Sequence, residues 1–223
     1  MTEDKLTITK RLLQTGRLEE ARAAACAQAS EDPSNPEPLY LQAVSERYLG
    51  RPEDALATLA RLKALEPRFA RAWQEAGHLH KLRNEFPEAL AAHRRAVELN
   101  RGLIVAWREL SMLAARQGDS DGATVADAEY RRLAALPAEL VTVTSLTQEG
   151  KLFQAETLCR EFLRAHPHHI EAMRLLARLG MKLFIYDDAE FLLESCVTFA
   201  PDYWHARSDY VEVLHRRQKF PQA

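Results

Sequence analysis

Apolar and polar positions alternate along this chain with the period of an α-helix, in short segments separated by turns. Residues 72–83 and 87–99 each place apolar side chains three or four positions apart, which gives each predicted helix one apolar face. Pro87 suits the first turn of the second helix, because its missing N–H is not needed there. The pattern predicts an all-α chain built from pairs of amphipathic helices.

The helix pair recurs along the chain at a nearly constant interval. One alanine follows the turn in each unit, and these alanines are Ala21, Ala55, Ala89, Ala123, Ala155, Ala189 and Ala223. All but one of the intervals between them are equal, and the interval from Ala123 to Ala155 is shorter by two positions.

Turn residues recur at the same interval. Five positions before four of the alanines stands a glycine, at Gly16, Gly50, Gly118 and Gly150. Such glycines are typical of a left-handed residue that ends a helix. Prolines that end the second helix stand twelve positions after four of the alanines, at Pro33, Pro67, Pro167 and Pro201.

The interval predicts one array spanning residues 1–223 as a single domain of helical hairpins. Its units are 2–35, 36–69, 70–103, 104–135, 136–169, 170–203 and the incomplete 204–223.

The third and fourth units carry the most informative residues. Trp73, Gly77 and Ala89 recur one interval later as Trp107, Ser111 and Ala123. This arrangement resembles the tetratricopeptide repeat, with its pattern W-x2-L-G-x2-Y, then A-x3-F, then P. The resemblance implies a right-handed superhelical solenoid of about six and a half helix-turn-helix repeats.

Gly77 lies inside a predicted helix, where glycine costs about 1 kcal/mol relative to alanine. We expect Gly77 and Ala89 to provide space where the two helices of the unit approach most closely, with Trp73 as the large side chain packed there. Small residues take the equivalent place in other units, at Ala43, Ser111 and Ala177.

Two units depart from the pattern. The second has Gln42 and Glu46 at positions that are normally apolar. The fifth contains "LVTVTSLT" at 140–147, whose β-branched residues lose side-chain freedom in a helix. We predict that the helix of the fifth unit opens most easily.

The last unit has a first helix with Tyr210, Val211 and Leu214 on its predicted packing face, followed by a second helix that stops at Ala223. Natural arrays normally close with a polar capping helix. The uncapped end leads us to expect either a fragment of a longer protein or self-association through this repeat, and the two are compatible.

Composition excludes several classes of protein. The chain is 47% hydrophobic and 28% charged, with net charge −2 and a sequence pI near 6.5, which is typical of a folded protein with no preference for nucleic acid. No apolar run suits a membrane span, and the start lacks a secretory signal. Three cysteines without a CxxC motif favour neither disulfides nor zinc. We therefore expect a cytoplasmic protein.

Residues for chemistry are scarce. No phosphate-binding glycine loop occurs, and "GDSDG" at 118–122 is interpreted as a turn. "HPHH" at 166–169 is interpreted as an exposed turn rather than a metal site, while Cys159 and Cys196 fall at buried packing positions. The prediction is a chain that is not an enzyme and has no cofactor, metal or catalytic residues.

By resemblance, the first helices of the units line a concave groove that binds peptides through the second, fifth, ninth, twelfth and thirteenth positions. The corresponding residues here are Tyr40, Arg47, Tyr48, Arg71, Gln74, His78, Lys81, Arg108, Met112, Arg116, Arg174 and Lys182. Because this set is basic, it indicates an acidic partner, which Arg can hold through two hydrogen bonds. The alternative is a solvated face with incidental charge.

These observations predict a non-catalytic scaffold that binds a protein or peptide. An alternative follows from "RRLAALPAEL" and "EGKLFQAETLCREFLRAHPHHIEAMRLLARLG", which are similar to the N-terminal repeat region of bacterial tetratricopeptide-repeat sulfotransferases. The segment would then recruit a substrate for a catalytic domain after residue 223, and this chain would not itself hold the phosphosulfate cofactor. Self-assembly is a third possibility.

Overall fold

The structure is a computed structural model that describes residues 4–218. Within that range the chain is helical throughout, without strands. The helices are α1 (Lys5–Gln14), α2 (Leu18–Glu31), α3 (Pro36–Tyr48), α4 (Pro52–Leu65), α5 (Ala70–Leu82), α6 (Phe86–Leu99), α7 (Ile104–Arg116), α8 (Ser120–Ala134), α9 (Ala138–Gln148), α10 (Leu152–Ala165), α11 (Ile170–Lys182), α12 (Tyr186–Phe199) and α13 (Trp204–Arg216). The all-α expectation is confirmed.

The helices form two compact units, divided between Arg131 and Arg132. In the first unit each helix from α1 to α7 packs on the next, and alternate helices also touch, α1 on α3 and α3 on α5. In the second unit α9 to α13 pack in the same order, and α11 touches both α9 and α13. The prediction that residues 1–223 form one domain stays a prediction.

Left-handed residues end the first helix of successive hairpins. Gly50 has φ +73°, and its N–H and that of Arg51 donate to the carbonyls of Arg47 and Glu46, which closes the end of α3. Gly16, Gly118 and Gly150 adopt the same conformation, as the sequence predicts. The structure adds the non-glycine residues at the same register, which are Asn84, Phe184 and Gln218, with φ of 62°, 64° and 58°.

The small residue at position 77 faces a different side chain from the one expected. A Cβ on Gly77 would lie 2.6–2.8 Å from ring atoms of His93, so the imidazole of α6 occupies the space that the missing methyl leaves. Trp73 instead packs back over the preceding turn, where its indole N–H donates to the carbonyl of Pro67 at 3.2 Å. Trp107 repeats this bond to the carbonyl of Arg101 at 3.0 Å. The assignment of Trp73 as the large side chain at Gly77 was therefore wrong.

The two unusual polar residues of the second repeat are paired with each other. The Gln42 amide donates to Glu46 at 2.7 Å and to the Thr58 hydroxyl at 3.3 Å, and that hydroxyl donates to Glu46 at 2.8 Å. All three side chains are buried. A closed set of hydrogen bonds removes most of the cost of burying polar groups between α3 and α4.

The last described helix packs Leu214 and Tyr210 as predicted, but not Val211. Val213 is fully buried and Leu214 is 1% exposed, whereas Val211 is 45% exposed. Tyr210 packs at the edge of the core formed by Ala189, Leu193 and Val213. Val211 was therefore assigned wrongly, because a helix residue two positions from Val213 lies on the opposite face. The second helix expected for this repeat lies outside the described residues.

Candidate functional site

Side chains from α3 and α5 enclose an open cavity of about 540 Å³ in the first unit. Its lining consists of Arg47, Tyr48, His78, Lys81 and Leu82, which we call the α3–α5 cavity. The sequence analysis predicted the first four as groove residues but did not name Leu82, although Leu82 is the thirteenth residue of its unit. Leu82 occupies the same position in the third repeat as Tyr48 does in the second, so the repeat interval alone could have identified it.

The α3–α5 cavity combines apolar surface with positive charge. Tyr48 is 59% exposed and Leu82 is 67% exposed, so two large apolar groups face solvent side by side in this cavity. The guanidinium of Arg47 lies 4.1 Å above the ring of Tyr48, in the geometry of a cation–π contact. His78 is half-buried, and burial lowers the pKa of its imidazole below the usual value, so this ring is neutral at pH 7.

Buried carboxylates hold both cations of the cavity in place. Arg47 on α3 donates Nε–H to Glu75 on α5 at 2.7 Å, and Lys81 on α5 donates to Glu109 on α7 at 2.5 Å. Both pairs join a first helix to the first helix of the next repeat, with the same separation along the chain. Burial alone would raise the pKa of Glu109, but the Lys81 ammonium holds that pKa below its usual value, which keeps the pair ionised.

The structure corrects the expectation of a basic groove. The acidic residues Glu75 and Glu109 alternate with the predicted cations, and Arg71 is likewise bonded to Glu37. Glu75 and Glu109 lie at positions that the peptide-binding pattern leaves out, and Glu37 lies at a position that the pattern includes but the predicted set omits. The predicted set therefore overstates the positive charge of the groove. Fixed pairs of opposite charge orient a ligand more than they attract it from a distance.

Tyr40 and Arg71 form a packed contact between α3 and α5. The ring of Tyr40 lies 5.5 Å from that of Phe69, and the Arg71 guanidinium stacks 4.7 Å from each ring centre. Burial raises the pKa of Tyr40 above its usual value. Neither side chain lines the cavity. Their contact joins α3 to α5, the first helices of two successive repeats.

Arg174 was predicted as a groove residue, but the structure buries it in the second unit. It is 5% exposed and donates to Glu171 at 2.7 and 2.8 Å and to Asp209 at 2.7 Å. Tyr203 also donates its hydroxyl to Glu171, and Arg178 bonds Asp209 at 3.2 Å. These bonds join α11 to α13 and leave Arg174 unable to grip a ligand carboxylate, so this assignment was wrong.

The other predicted residues lie outside the cavity. Gln74 is half-buried on α5. On α7, Arg108 is exposed, Met112 is 48% exposed, and the Arg116 guanidinium lies 3.8 Å above the ring of Phe86. Lys182 lies at the end of α11 in the second unit and is exposed.

The second unit has a smaller cavity of about 240 Å³, formed by α10, α11, α12 and the turn between the last two. Its lining includes the apolar Leu176, Leu183 and Phe191 and the charged Arg160 and Asp188. The sequence pattern predicted none of these residues as part of a site.

The histidines at 166–169 pack against two different aromatic rings, and the ring of His166 lies 4.6 Å from that of Phe162. His169 accepts the N–H of Ala172 and contacts the edge of Phe162, while the ring of His168 packs against Phe199. Among residues 4–218, no group of three or more His, Cys, Asp or Glu side chains is arranged to hold a metal ion.

Two of the cysteines are structural in character. Cys159 and Cys196 are both fully buried, as the sequence predicts. Burial raises the pKa of the Cys159 thiol to about 12 and that of Cys196 to about 11. Both thiols therefore stay protonated at neutral pH and are poor nucleophiles.

No helix in the described part of the chain has the length and apolar character to cross a membrane.

Fold and site together define an all-α array of helical hairpins with a mixed polar and apolar cavity on its first helices. No protein-family model and no curated protein matches the chain. Solved structures of tetratricopeptide-repeat solenoids do match it, and the fold class is therefore that of this repeat. PilF of Pseudomonas aeruginosa matches with a TM-score of 0.54 at 18% identity, over 93% of this chain and 96% of that one.

Two larger assemblies contain a similar fold. A structure of Naa15/Naa10 bound to HypK-THB matches with a TM-score of 0.53 at 15% identity, over 95% of this chain and 38% of that one. The Cut9–Hcn1 hetero-tetramer of APC/C matches with a TM-score of 0.53 at 14% identity, over 94% and 42%. At these identities the likeness concerns the fold.

Proposed function

We propose that this chain is a non-catalytic repeat scaffold that binds a protein or peptide partner at the α3–α5 cavity. The observation that carries the proposal is the pairing, in one open cavity, of exposed apolar groups with fixed cations. Tyr48 and Leu82 offer apolar surface, and Arg47 and Lys81 stand beside them. The matched fold also occurs in assemblies of several proteins, such as Cut9–Hcn1, which supports a binding role by fold alone.

The lining defines the chemistry of the partner. An apolar side chain would pack between Tyr48 and Leu82, where it shields both from water. An adjacent carboxylate would bind Arg47 and Lys81, since Arg47 uses only Nε–H toward Glu75 and has further N–H donors. We therefore propose a partner segment that places an acidic residue beside a large apolar one.

Peptide binding tests this proposal directly. The probe is a fluorescein-labelled peptide with phenylalanine flanked by glutamates, and its affinity is measured by fluorescence anisotropy. Tyr48→Ser combined with Leu82→Ser is expected to weaken binding by about 10-fold or more, because apolar burial contributes about 1.5–3 kcal/mol per side chain. Both residues are exposed, so the fold should be unaffected.

Phe153→Ser is the matched control, since Phe153 is 78% exposed and lies outside the cavity. Equal affinity of the double variant and this control would contradict the proposal. A peptide with lysines in place of the glutamates should bind more weakly. Equal binding of the two peptides would contradict the proposal that the partner carries an acidic residue.

We also propose a cytoplasmic location and no role in nucleic-acid or membrane binding, based on composition. Self-association through the incomplete last repeat is a further proposal. Sedimentation of the chain with and without an added complete final repeat tests it, because self-association through an uncapped end should disappear when the end is capped.

The alternative remains that the chain recruits a substrate for a bacterial sulfotransferase domain that follows residue 223. Its support is the similarity of the repeat sequences alone. The coding sequence after residue 223 distinguishes the two functions. A phosphosulfate-binding loop there would favour the recruiting segment of a sulfotransferase, and a capping helix with a stop codon would favour the scaffold.

A further inference from the structure

His93 on α6 is a fully buried histidine whose environment offers it no hydrogen bond. It is 0% exposed, and neither ring nitrogen has a partner among the described residues. Its ring packs closely on Gly77 of α5, and the ring of His78 meets it edge-on with centroids 5.0 Å apart. A buried polar group without a partner costs free energy, so a structural role alone would favour an apolar residue here.

Equivalent places in two other hairpins hold apolar residues. Leu59 and Leu193 occupy the position of His93 in the second and sixth repeats, four positions after the repeating alanine, and both are fully buried. Ala43 and Ala177 stand at the places equivalent to Gly77, and each shares a core cluster with its leucine. The chain therefore fills this contact twice with leucine and alanine, and once with an imidazole on glycine. What the imidazole adds is a site for a proton.

Three titratable groups face His93 from the helices packed against α6. His78 and Lys81 lie on α5, and Glu109 lies on α7. Lys81 and Glu109 are bonded to each other, so their opposite effects on His93 largely offset. Burial, followed by the neighbouring His78, lowers the pKa of His93 to about 3, so the buried ring is neutral at pH 7.

We propose that protonation of His93 separates α5 from α6 and thereby takes apart the α3–α5 cavity. A charged imidazole cannot remain on Gly77 without a partner, and it reaches water only if the two helices part. Helix α5 carries His78, Lys81 and Leu82, three of the five residues of the cavity. The cavity would then form at neutral pH and open in acid. As a regulator of binding, this device rests on the function proposed above.

The direction of the pH effect follows from linkage. In the open state His93 has the usual histidine pKa near 6.5, whereas in the closed state its ring stays neutral at that pH. The closed state is therefore most stable above about pH 6.5. That stability is lost as the pH falls from there toward the lowered pKa of the buried ring. Between about pH 7.5 and pH 5 the opening equilibrium constant should rise about 30-fold. Unpaired carboxylates titrate below this window.

Amide hydrogen exchange of the unliganded chain measures the opening. After correction for the intrinsic pH dependence of exchange, the opening constant of α5 and α6 should rise by about 30-fold across the window. The pair α3 and α4, with Ala43 and Leu59, is an internal control in the same molecule and should stay flat. Equal pH dependence of the two pairs would overturn the proposal, and this comparison needs no variant.

The matched variant is Gly77→Ala with His93→Leu, which copies the contact of the other hairpins. It should remove most of the pH dependence of α5 and α6, since only the contribution of His78 remains, and an undiminished pH dependence would overturn the proposal. His78→Gln should preserve most of the effect, whereas its loss would assign the effect to His78 instead.

Peptide binding is measured separately at both pH values with the glutamate–phenylalanine probe. Wild type should bind more weakly at pH 5 than the double variant does, and equal binding would contradict the effect on the cavity. Absence of binding at either pH would reject the proposed function, while the exchange result would still decide the opening.

Discussion

At the scale of single residues, position 77 shows how one missing methyl sets a packing contact. Glycine is unfavourable inside a helix, yet Gly77 is buried in α5 against the ring of His93. The sequence indicated that something large approaches here. It did not indicate which residue, because Trp73 and His93 are both large and both lie in the same helix pair as Gly77.

Replacing Gly77 with alanine should destabilise the chain. The added Cβ would lie within 2.8 Å of three ring atoms of His93, so α5 and α6 must shift apart. Overpacking of this kind costs about 1–3 kcal/mol. Over most of that range the cost exceeds the gain of about 1 kcal/mol that alanine brings through its higher helix propensity. Denaturant unfolding measures the change.

Ser111→Ala, at the equivalent place in α7, is the control and should be nearly neutral. A stabilised Gly77→Ala variant would show that His93 can move aside freely, and would weaken the argument for a tight contact.

At the scale of helices, the repeat interval correctly predicts where first helices end, but it does not predict how strongly each helix is held. Helix α9 has 11 residues, and Pro137 at its N-cap provides no side-chain hydrogen bond. Thr142, Thr144 and Thr147 each donate to the carbonyl four residues earlier, at 2.9, 3.0 and 2.7 Å. Such bonds compete mildly with regular helix geometry.

Helix α9 should therefore open more often than α5 or α11. Hydrogen exchange at pH 7.5 should show lower protection in α9, because its β-branched residues lose more side-chain entropy on folding. Thr142→Ala, at an exposed position, should raise that protection by about 0.5 kcal/mol. Protection of α9 equal to that of α5 and α11 would show that packing outweighs propensity here.

At the scale of the whole molecule, helices contact their neighbours in the sequence and little else. Among the described residues the main contacts join consecutive helices or helices two apart. The free energy of unfolding of such arrays is approximately a sum of terms from single repeats and their neighbours. A destabilising substitution should therefore affect mainly the helices around it.

Arg174→Met tests this locality. It leaves the carboxylates of Glu171 and Asp209 buried, with weaker compensation from Tyr203 and Arg178. Breaking a buried pair in this way should cost about 3 kcal/mol. Hydrogen exchange should show lower protection in α11 to α13, while α3 to α5 remain unchanged.

Arg178→Met, on the same helix, is the control and should have a smaller effect, because Arg178 is more exposed and makes a single bond to Asp209. Equal loss of protection in α3 to α5 would show that the chain unfolds as one cooperative body.

The sequence by itself determined the helical hairpins, the left-handed residues that close α1, α3, α7 and α9, and four of the five residues of the α3–α5 cavity. These features are local or repeat at a fixed interval, so periodicity and turn chemistry are enough to predict them. Only the tertiary structure showed that Glu75 and Glu109 neutralise Arg47 and Lys81, that Arg174 is buried, and that His93 lies on Gly77. Those features depend on distances between side chains of different helices, which a pattern along one chain does not contain.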